Sequence, residues 1–337
     1  MRRRGAFLIG AVVVVLVALV ANLAVGAGET GLRHVLATAV AYDPDDFDHH
    51  IIVYQRLPRA LIALYVGMLM ACGGLVLQGL TRNPLASPST LGINAGAALF
   101  VVAGAFVFDL GMAGLGVAAL AGGIGGFLSA VAVARLAGHS TDPRGLTLIL
   151  SGALVSMLFI GIANAFLLSD PARRSDFLAW ITGNINHVYI DRLYDTWWLG
   201  GLSLLTLGVL ARPLTLITLG AEKAASAGVS VVWVTRLALA AVIVGASSAV
   251  AICGPVAFVG LVVPHIVRPF VGAGFGLGLP AAALTGGAVC LIADLAARHA
   301  FAPYVLHTGV ILDLLGGLVF AVIAKRFYLT PDSGRPS

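Results

Sequence analysis

Long apolar segments recur along this 337-residue chain and limit the folds that it can adopt. Nine windows approach the roughly 20 residues that an α-helix needs to cross a bilayer, and they cover 6–26, 60–80, 91–108, 114–134, 146–168, 194–211, 236–253, 277–297 and 304–324. A shorter run at 255–267 adds a tenth crossing. The sequence therefore predicts an all-α polytopic membrane protein with about ten transmembrane helices and a single domain, 1–337.

Composition supports the membrane assignment. The chain is 59% hydrophobic and 10% charged, whereas soluble domains are typically about 25% charged. The net charge of +5 arises from basic residues scattered between apolar runs and not gathered in one patch, so the sequence does not favour nucleic-acid binding. Most of these residues fall on the side that holds both termini, and the positive-inside rule therefore predicts cytoplasmic N- and C-termini.

The amino terminus imitates a secretory signal, because three arginines precede the apolar run 6–25. That run is longer than a typical signal core, so we expect an uncleaved first helix. The three cysteines, Cys72, Cys253 and Cys290, all lie inside apolar runs. Their spacing fits neither a metal site nor a redox motif, and we expect them to be packing residues.

Sequence motifs for catalysis are missing. The two lysines, Lys223 and Lys325, do not end a phosphate-binding loop, so any ATP must be used by another chain. We find no HExxH motif, no nucleophile elbow and no histidine spacing typical of a metal site. We therefore expect no catalytic residues, no metal site and no bound cofactor.

Two arginines precede the second apolar run. Arg56 and Arg59 stand where the positive end of the helix dipole disfavours a cation by about 0.3–1 kcal/mol. They either extend to lipid headgroups or face outward to meet acidic groups on a partner. The same run breaks at Asn83 and Pro84, which predict a turn before the next helix.

Small residues at a spacing of four predict close helix packing. The pairs are Gly92 with Gly96, Gly122 with Gly126, and Gly67 with Ala71. We expect them to pack helices within one subunit and do not assign them to a dimer interface.

Two polar connections stand out. Segment 169–192 is too charged to cross the membrane, and we expect it to lie at the external surface with Trp180 at the interface. Segment 209–235 lies on the cytoplasmic side and contains a short helix-prone stretch between Gly220 and Gly228. This stretch is either an ordinary connector or a helix offered to a cytoplasmic partner.

Several blocks together resemble one family. They are RLPR at 56–59, a small-residue helix ending in Gln78, RNPLASPSTLGINAGAA at 82–98, the Gly-Ala-Glu segment at 220–222, GPVAFVGLVVPHIVR at 254–268, and the block from Ala293 to Arg298. In this order they resemble the FecCD-type permeases. These are membrane subunits of binding-protein-dependent, type II ABC importers for ferric siderophores, haem and cobalamin.

The resemblance implies an assembly in the bacterial cytoplasmic membrane. Two permease subunits, here expected to be identical, would enclose a path along their interface. Two ATPase subunits would dock below, and a periplasmic or lipid-anchored substrate-binding protein would dock above. ATP would be used by the ATPases, so the permease itself would not be an enzyme.

The resemblance also implies roles for particular residues. Three arginines match positions that pair with acidic residues of the binding protein: Arg56, Arg59 and Arg298. Four residues match the coupling helix that enters a cleft of the ATPase: Gly220, Glu222, Ala225 and Gly228. Two match the inner gate: Ser140 and Thr141. Two match a turn at the cytoplasmic end of the short eighth helix: Pro264 and His265, the latter with a structural role. For Arg298, at a helix C-terminus, a purely structural role is the alternative.

The last helix departs from the family pattern. Val305-Leu-His307-Thr-Gly309 replaces the usual Glu-Leu-Pro-Val-Gly, and Asp313 follows inside the apolar run. An acid at that depth costs about 2.5–3.5 kcal/mol on insertion scales and marks a functional site by default. We expect Asp313 to line the path or to join an interhelical hydrogen bond, with His307 nearer the outer end. A buried acid satisfied within the subunit is the alternative.

The resemblance favours a permease that imports a ferric siderophore by ATP-driven alternating access, with haem and cobalamin as alternative cargoes. An ion-coupled secondary transporter would carry paired intramembrane acids or interrupted helices, and Asp313 alone is a weak signal of that kind. A structural scaffold would need neither docking arginines nor a coupling segment.

Overall fold

The computed structural model describes residues 2–26, 31–137, 146–171, 177–178, 180–301 and 304–324. These residues form helices joined by short connections, with no strand among them. The helices are α1 Arg2–Ala24, α2 Leu32–Val40, α3 Phe47–Ile51, α4 Leu57–Thr81, α5 Ile93–Val107, α6 Met112–Leu136, α7 Leu146–Ser169, α8 Ile190–Val209, α9 Ala211–Thr218, α10 Ala221–Ser226, α11 Val231–Cys253, α12 Val259–Val271, α13 Phe275–His299 and α14 Thr308–Ala324.

Each predicted apolar window overlaps an apolar helix, and the all-α membrane fold class is confirmed. Six helical spans are long and apolar enough to cross a membrane. Counting the bent pair α8 and α9, which meet at 55°, gives seven. The remaining apolar helices, α5, α12 and α14, have 15, 13 and 17 residues.

Helix α4 lies at the centre of the bundle. A five-residue π-helical turn, Ile52–Arg56, joins it to α3, and 83% of its membrane window is buried against 17% for α1. It packs against α8, α11, α12 and α13. The helix can be surrounded in this way because small residues recur on several of its faces, among them Gly67, Ala71 and Gly74.

Glycine allows backbones to touch at the seams of this bundle. A Cβ added to Gly67 would overlap the carbonyl of Gly286 on α13, and one added to Gly96 on α5 would overlap the carbonyl of Gly122 on α6. Lipid supplies no hydrophobic force between helices, so such close contacts contribute dispersion energy that lipid cannot replace. The predicted packing role of these glycines within one subunit is confirmed.

Helix α12 corrects one prediction. Pro264 and His265 do not form a turn but lie in the middle of the helix. Proline lacks the N–H that would bond the carbonyl four residues earlier, on Gly260. The side-chain amide of Gln78 on α4 donates to that carbonyl at 3.4 Å and to the carbonyl of Leu261 at 3.1 Å. The helix continues because a neighbouring side chain bonds the carbonyl that Pro264 leaves free.

The segment 169–192 corrects a second prediction. Trp180 does not face a membrane interface but is 5% exposed within the main core. The described residues after it fold against the α11–α12 connection and α14: Asn184 N–H donates to the Cys253 carbonyl at 2.7 Å, and Gly309 N–H donates to the Gly183 carbonyl at 2.8 Å. The backbone of this polar segment is thereby bonded to the ends of two apolar helices.

Candidate functional site

A cavity of about 540 Å³ opens on one side of the bundle. Its wall is built from the connection between α4 and α5, the start of α5, the middle of α7, the segment before α8, the α11–α12 connection, the start of α12, and α14. The residues that line it are Ser87, Ser89, Thr90, Asn94, Ala95, Ser156, Ile160, Ile181, Thr182, Pro255, Ala257, Phe258, Leu261, Val310 and Asp313. Small hydroxyl groups alternate with apolar side chains, a mixture typical of a path for a solute.

Asp313 projects from α14 into this cavity and is exposed there. Among the lining residues that the structure describes, it is the only ionisable one. The alternative of a buried, internally satisfied acid is therefore wrong, and Asp313 belongs to the cavity wall. His307 directly precedes α14 and is half-buried. It is not among the described residues that line the cavity.

A short turn sets the polar side of the wall. After α4, Arg82 adopts a left-handed conformation with φ 50°, and the Asn83 side chain accepts from Leu85 N–H at 2.9 Å. Pro84 follows in the same turn, which closes where Ala86 N–H donates to the Asn83 carbonyl at 3.2 Å. This turn leads into a 3₁₀ helix, Pro88–Leu91, that is capped by the Ser87 hydroxyl. The turn thus places three hydroxyl residues in the cavity wall.

Phe258 was not anticipated from the sequence. It precedes α12 with φ 61°, a conformation that is uncommon for a bulky residue and costs about 1–3 kcal/mol. Its ring lines the polar cavity and an apolar one of about 250 Å³ beside it. A Cβ added to Gly316 on α14 would overlap Phe258. The adjacent glycines Gly316 and Gly317 were the available signal that something bulky packs on α14.

A second polar cluster lies at the ends of α4, α13 and α1. The carboxylate of Asp294 has no exposed surface. It accepts hydrogen bonds from the guanidinium of Arg59 at 2.7 and 3.4 Å, and it lies 3.3 Å from the guanidinium of Arg298. Thr308 donates a hydrogen bond to the same carboxylate at 3.1 Å. Arg298 also donates to the side chain of Asn22 on α1 at 2.6 Å. We call these five residues the Asp294 cluster.

Arg56 lies close to this cluster. It is buried and donates to the carbonyl of Leu23 at 2.7 Å. The side chains of Arg56 and Arg59 therefore do not project freely outward in the isolated subunit. The prediction that both arginines face outward is wrong. The reason is that carbonyl and carboxylate acceptors from α1 and α13 lie within their reach. Docking of a binding protein on the three arginines stays a prediction.

The predicted coupling segment, 209–235, contains α9, α10 and the start of α11. Helix α10 is short but well defined: Gly220 precedes it with φ 135°, and Gly228 ends it with φ 81°. Val229 N–H donates to the Ala224 carbonyl at 3.0 Å, and Gly228 N–H donates to the Ala225 carbonyl at 2.9 Å. This is the Schellman pattern, in which glycine adopts the left-handed conformation without strain.

One side of α10 packs against the protein, and its other residues are exposed. Ala224 is fully buried, whereas Glu222 and Ala225 are exposed. The helix packs against α9 and α11, and α9 in turn contacts α4 and α13. Helix α10 is thus an exposed surface that is connected through α9 to the centre of the bundle.

The proposed inner-gate residues, Ser140 and Thr141, lie outside the described residues. Within the described residues, no group of three or more His, Cys, Asp or Glu side chains could hold a metal ion. The expectation that the chain binds no metal or cofactor therefore remains a prediction.

Comparisons with known proteins agree with this geometry. The FecCD transport family matches residues 14–326. The hemin transport system permease protein HmuU of Yersinia pestis is 37% identical over 82% of this chain and 84% of its own. The iron(3+)-hydroxamate import system permease protein FhuB of Bacillus subtilis is 32% identical over 90% of this chain and 79% of its own.

A solved structure gives the same result for the fold. An ABC transporter assigned to the metal-chelate type, in an inward-facing conformation, superposes with a TM-score of 0.79. The match is 26% identical and covers 96% of this chain and 100% of the other. With nearly its whole length matched in sequence and in fold, this chain belongs to the FecCD transport family and is a multi-pass membrane permease.

Proposed function

We propose that the chain is the permease subunit of an ABC importer that carries a ferric siderophore or a related metal chelate into the cytoplasm. The observation that carries this proposal is the cavity beside α14. It combines small hydroxyl side chains, apolar surface and one acid, and it is large enough to hold part of a chelate. Permeases named for hydroxamate, citrate, hemin and cobalamin transport all match the chain at 31–37% identity, so identity alone does not choose the cargo.

The assembly that we propose has two copies of this chain, two ATPase subunits and one substrate-binding protein. The Asp294 cluster supports docking of an acidic surface. Its single carboxylate cannot neutralise both Arg59 and Arg298, so the cluster itself carries an excess of positive charge. Docking there would place the binding protein outside and both termini in the cytoplasm.

Helix α10 supports the site for the ATPase. Gly220, Glu222, Ala225 and Gly228 would enter a cleft of that subunit, and ATP binding would move α10. Through α9 the movement would reach α4 and α13, which also carry the Asp294 cluster. This connection supports an alternating-access mechanism in which a partner hydrolyses ATP and this chain, without a cofactor of its own, opens on one side at a time.

Reconstitution tests the proposal. Vesicles holding the permease, the ATPase and a ferric-chelate-loaded binding protein are expected to accumulate radioactive iron only when ATP is present. Omitting either partner should abolish accumulation, since this chain supplies neither the energy nor the delivery of the cargo. Accumulation by the permease alone would contradict the proposal and favour a secondary transporter.

A matched pair of variants tests the coupling segment. Ala225→Trp adds bulk on the exposed side of α10 and should prevent copurification with the ATPase while leaving the unfolding temperature unchanged. Ala41→Trp adds the same bulk at an exposed position after α2 and should leave copurification intact. Equal copurification of both variants would exclude α10 as the docking helix.

A further inference from the structure

We propose that Asp313 makes the cavity selective for the charge of its cargo, so that neutral and cationic metal chelates pass and anionic ones are disfavoured. This inference rests on the proposed function and adds the charge class of the cargo. It starts from one contrast. The wall carries a carboxylate, and none of the described lining residues is a lysine, arginine or histidine that could compensate it.

Other polar groups of the wall are already engaged within the protein. The Asn94 amide donates to the Val256 carbonyl at 3.2 Å, and the Asn94 Oδ1 is buried. The Ser87 hydroxyl already accepts from Thr90 N–H, and the Thr90 hydroxyl donates to the Ser87 carbonyl at 2.9 Å. The Asp313 carboxylate is thus the exposed, charged acceptor of the described wall.

The arginines of the Asp294 cluster do not reach this wall. Arg59 and Arg298 are both bound to Asp294, and neither lines the cavity. A cargo with ammonium, amide N–H or hydroxyl groups on its outer surface would complement Asp313. A cargo with outward carboxylates would be repelled by the charge and would leave this acceptor unpaired.

A cysteine reporter measures this property without any cargo. The native Cys72, Cys253 and Cys290 are buried, so Ser156→Cys places one reactive thiol in the cavity wall. Its rates of modification by a cationic trimethylammonium-ethyl and by an anionic sulfonatoethyl methanethiosulfonate are compared in the full chain. The ratio of the two rates cancels the thiol's own reactivity.

We expect Asp313→Asn to lower the cation-to-anion rate ratio at Ser156→Cys severalfold, because the carboxylate attracts one reagent and repels the other. The same substitution should leave the ratio unchanged at Ser226→Cys, an exposed control on α10. An unchanged ratio at Ser156→Cys would overturn the proposal.

Transport then tests selection directly. Three ferric trihydroxamates that differ only at one end, as a free ammonium, its N-acetyl derivative and its N-succinyl derivative, are delivered by the same binding protein. Asp313→Asn should raise the uptake of the succinylated chelate relative to the ammonium one. Identical ratios for the two permeases would overturn the proposal. If no chelate accumulates while the reporter ratio still responds, the proposed function fails and the charge preference of the cavity stands.

Discussion

Asp294 and Asp313 are both acids within apolar helices, yet the structure treats them in opposite ways. Asp294 on α13 is fully buried and bonded to two arginines and a threonine. Asp313 on α14 is exposed in a cavity, and no described residue forms an ion pair with it. A carboxylate surrounded by partners holds helices together, whereas one that faces open space without a cation is available to a solute.

The comparison separates two meanings of an acid in a membrane segment. Asp294 joins α4, α13 and α14 through short contacts, and Arg298 extends the connection to α1 through Asn22. Asp313 contributes no such connection. We therefore expect substitutions at Asp294 to change stability first and those at Asp313 to change transport first.

The largest effect is expected at Asp294. Asp294→Asn keeps the shape but removes the charge, leaving Arg59 and Arg298 buried without their anion. Breaking a buried ion pair in this way costs about 3–5 kcal/mol. Thermal unfolding in detergent should show a large fall in the unfolding temperature, while the same isosteric change at Asp313, Asp313→Asn, should leave it nearly unchanged. Equal unfolding temperatures for the two variants would contradict the stabilising role that we assign to Asp294 alone.

The second prediction tests whether Arg59 and Asp294 act as a unit. Arg59→Gln should lower the free energy of unfolding by about 1.5–3 kcal/mol, because it removes the shortest charged contact to Asp294. Combined with Asp294→Asn, Arg59→Gln should add less than its single effect, with a coupling of about 0.5–3 kcal/mol. Strict additivity in detergent unfolding would show that the pair does not act as a unit.

The helices themselves were predictable, because the bilayer sets both their length and their composition. The window 277–297 became helix Phe275–His299, and 60–80 lies within Leu57–Thr81. The spacing of Asp294 and Arg298, four residues apart on one helix, was also readable from the sequence.

The pairings between helices were not predictable from one sequence. Arg59 and Asp294 are 235 residues apart, and no periodicity rule joins them. The buried position of Trp180 and the continuation of α12 through Pro264 both depend on neighbours, in the second case on the amide of Gln78. Local patterns describe a segment, whereas these features belong to the packed bundle.

A third prediction concerns the helix that carries Asp313. Gly316→Ala should lower the free energy of unfolding by about 1–3 kcal/mol, since the added methyl group would overlap Phe258. Gly317→Ala is a matched control, because a Cβ there meets nothing within 4 Å. The two variants differ only in which side of α14 receives the methyl group. Unfolding temperatures that do not differ would show that Phe258 can move away without cost.

The smallest effect on stability is expected at Asp313. Asp313→Asn and Asp313→Leu should each change the free energy of unfolding by less than about 0.5 kcal/mol, as is usual for substitutions outside packed contacts. Uptake should nevertheless fall severalfold for a cationic chelate, most strongly with Asp313→Leu, which removes the hydrogen-bond acceptors as well as the charge. Radioactive iron uptake in reconstituted vesicles measures this directly. Full uptake with both variants would exclude Asp313 from transport and leave its cavity position without a functional role. Normal stability with impaired uptake would show that Asp294 acts in stability and Asp313 in transport, although the two acids lie on adjoining helices.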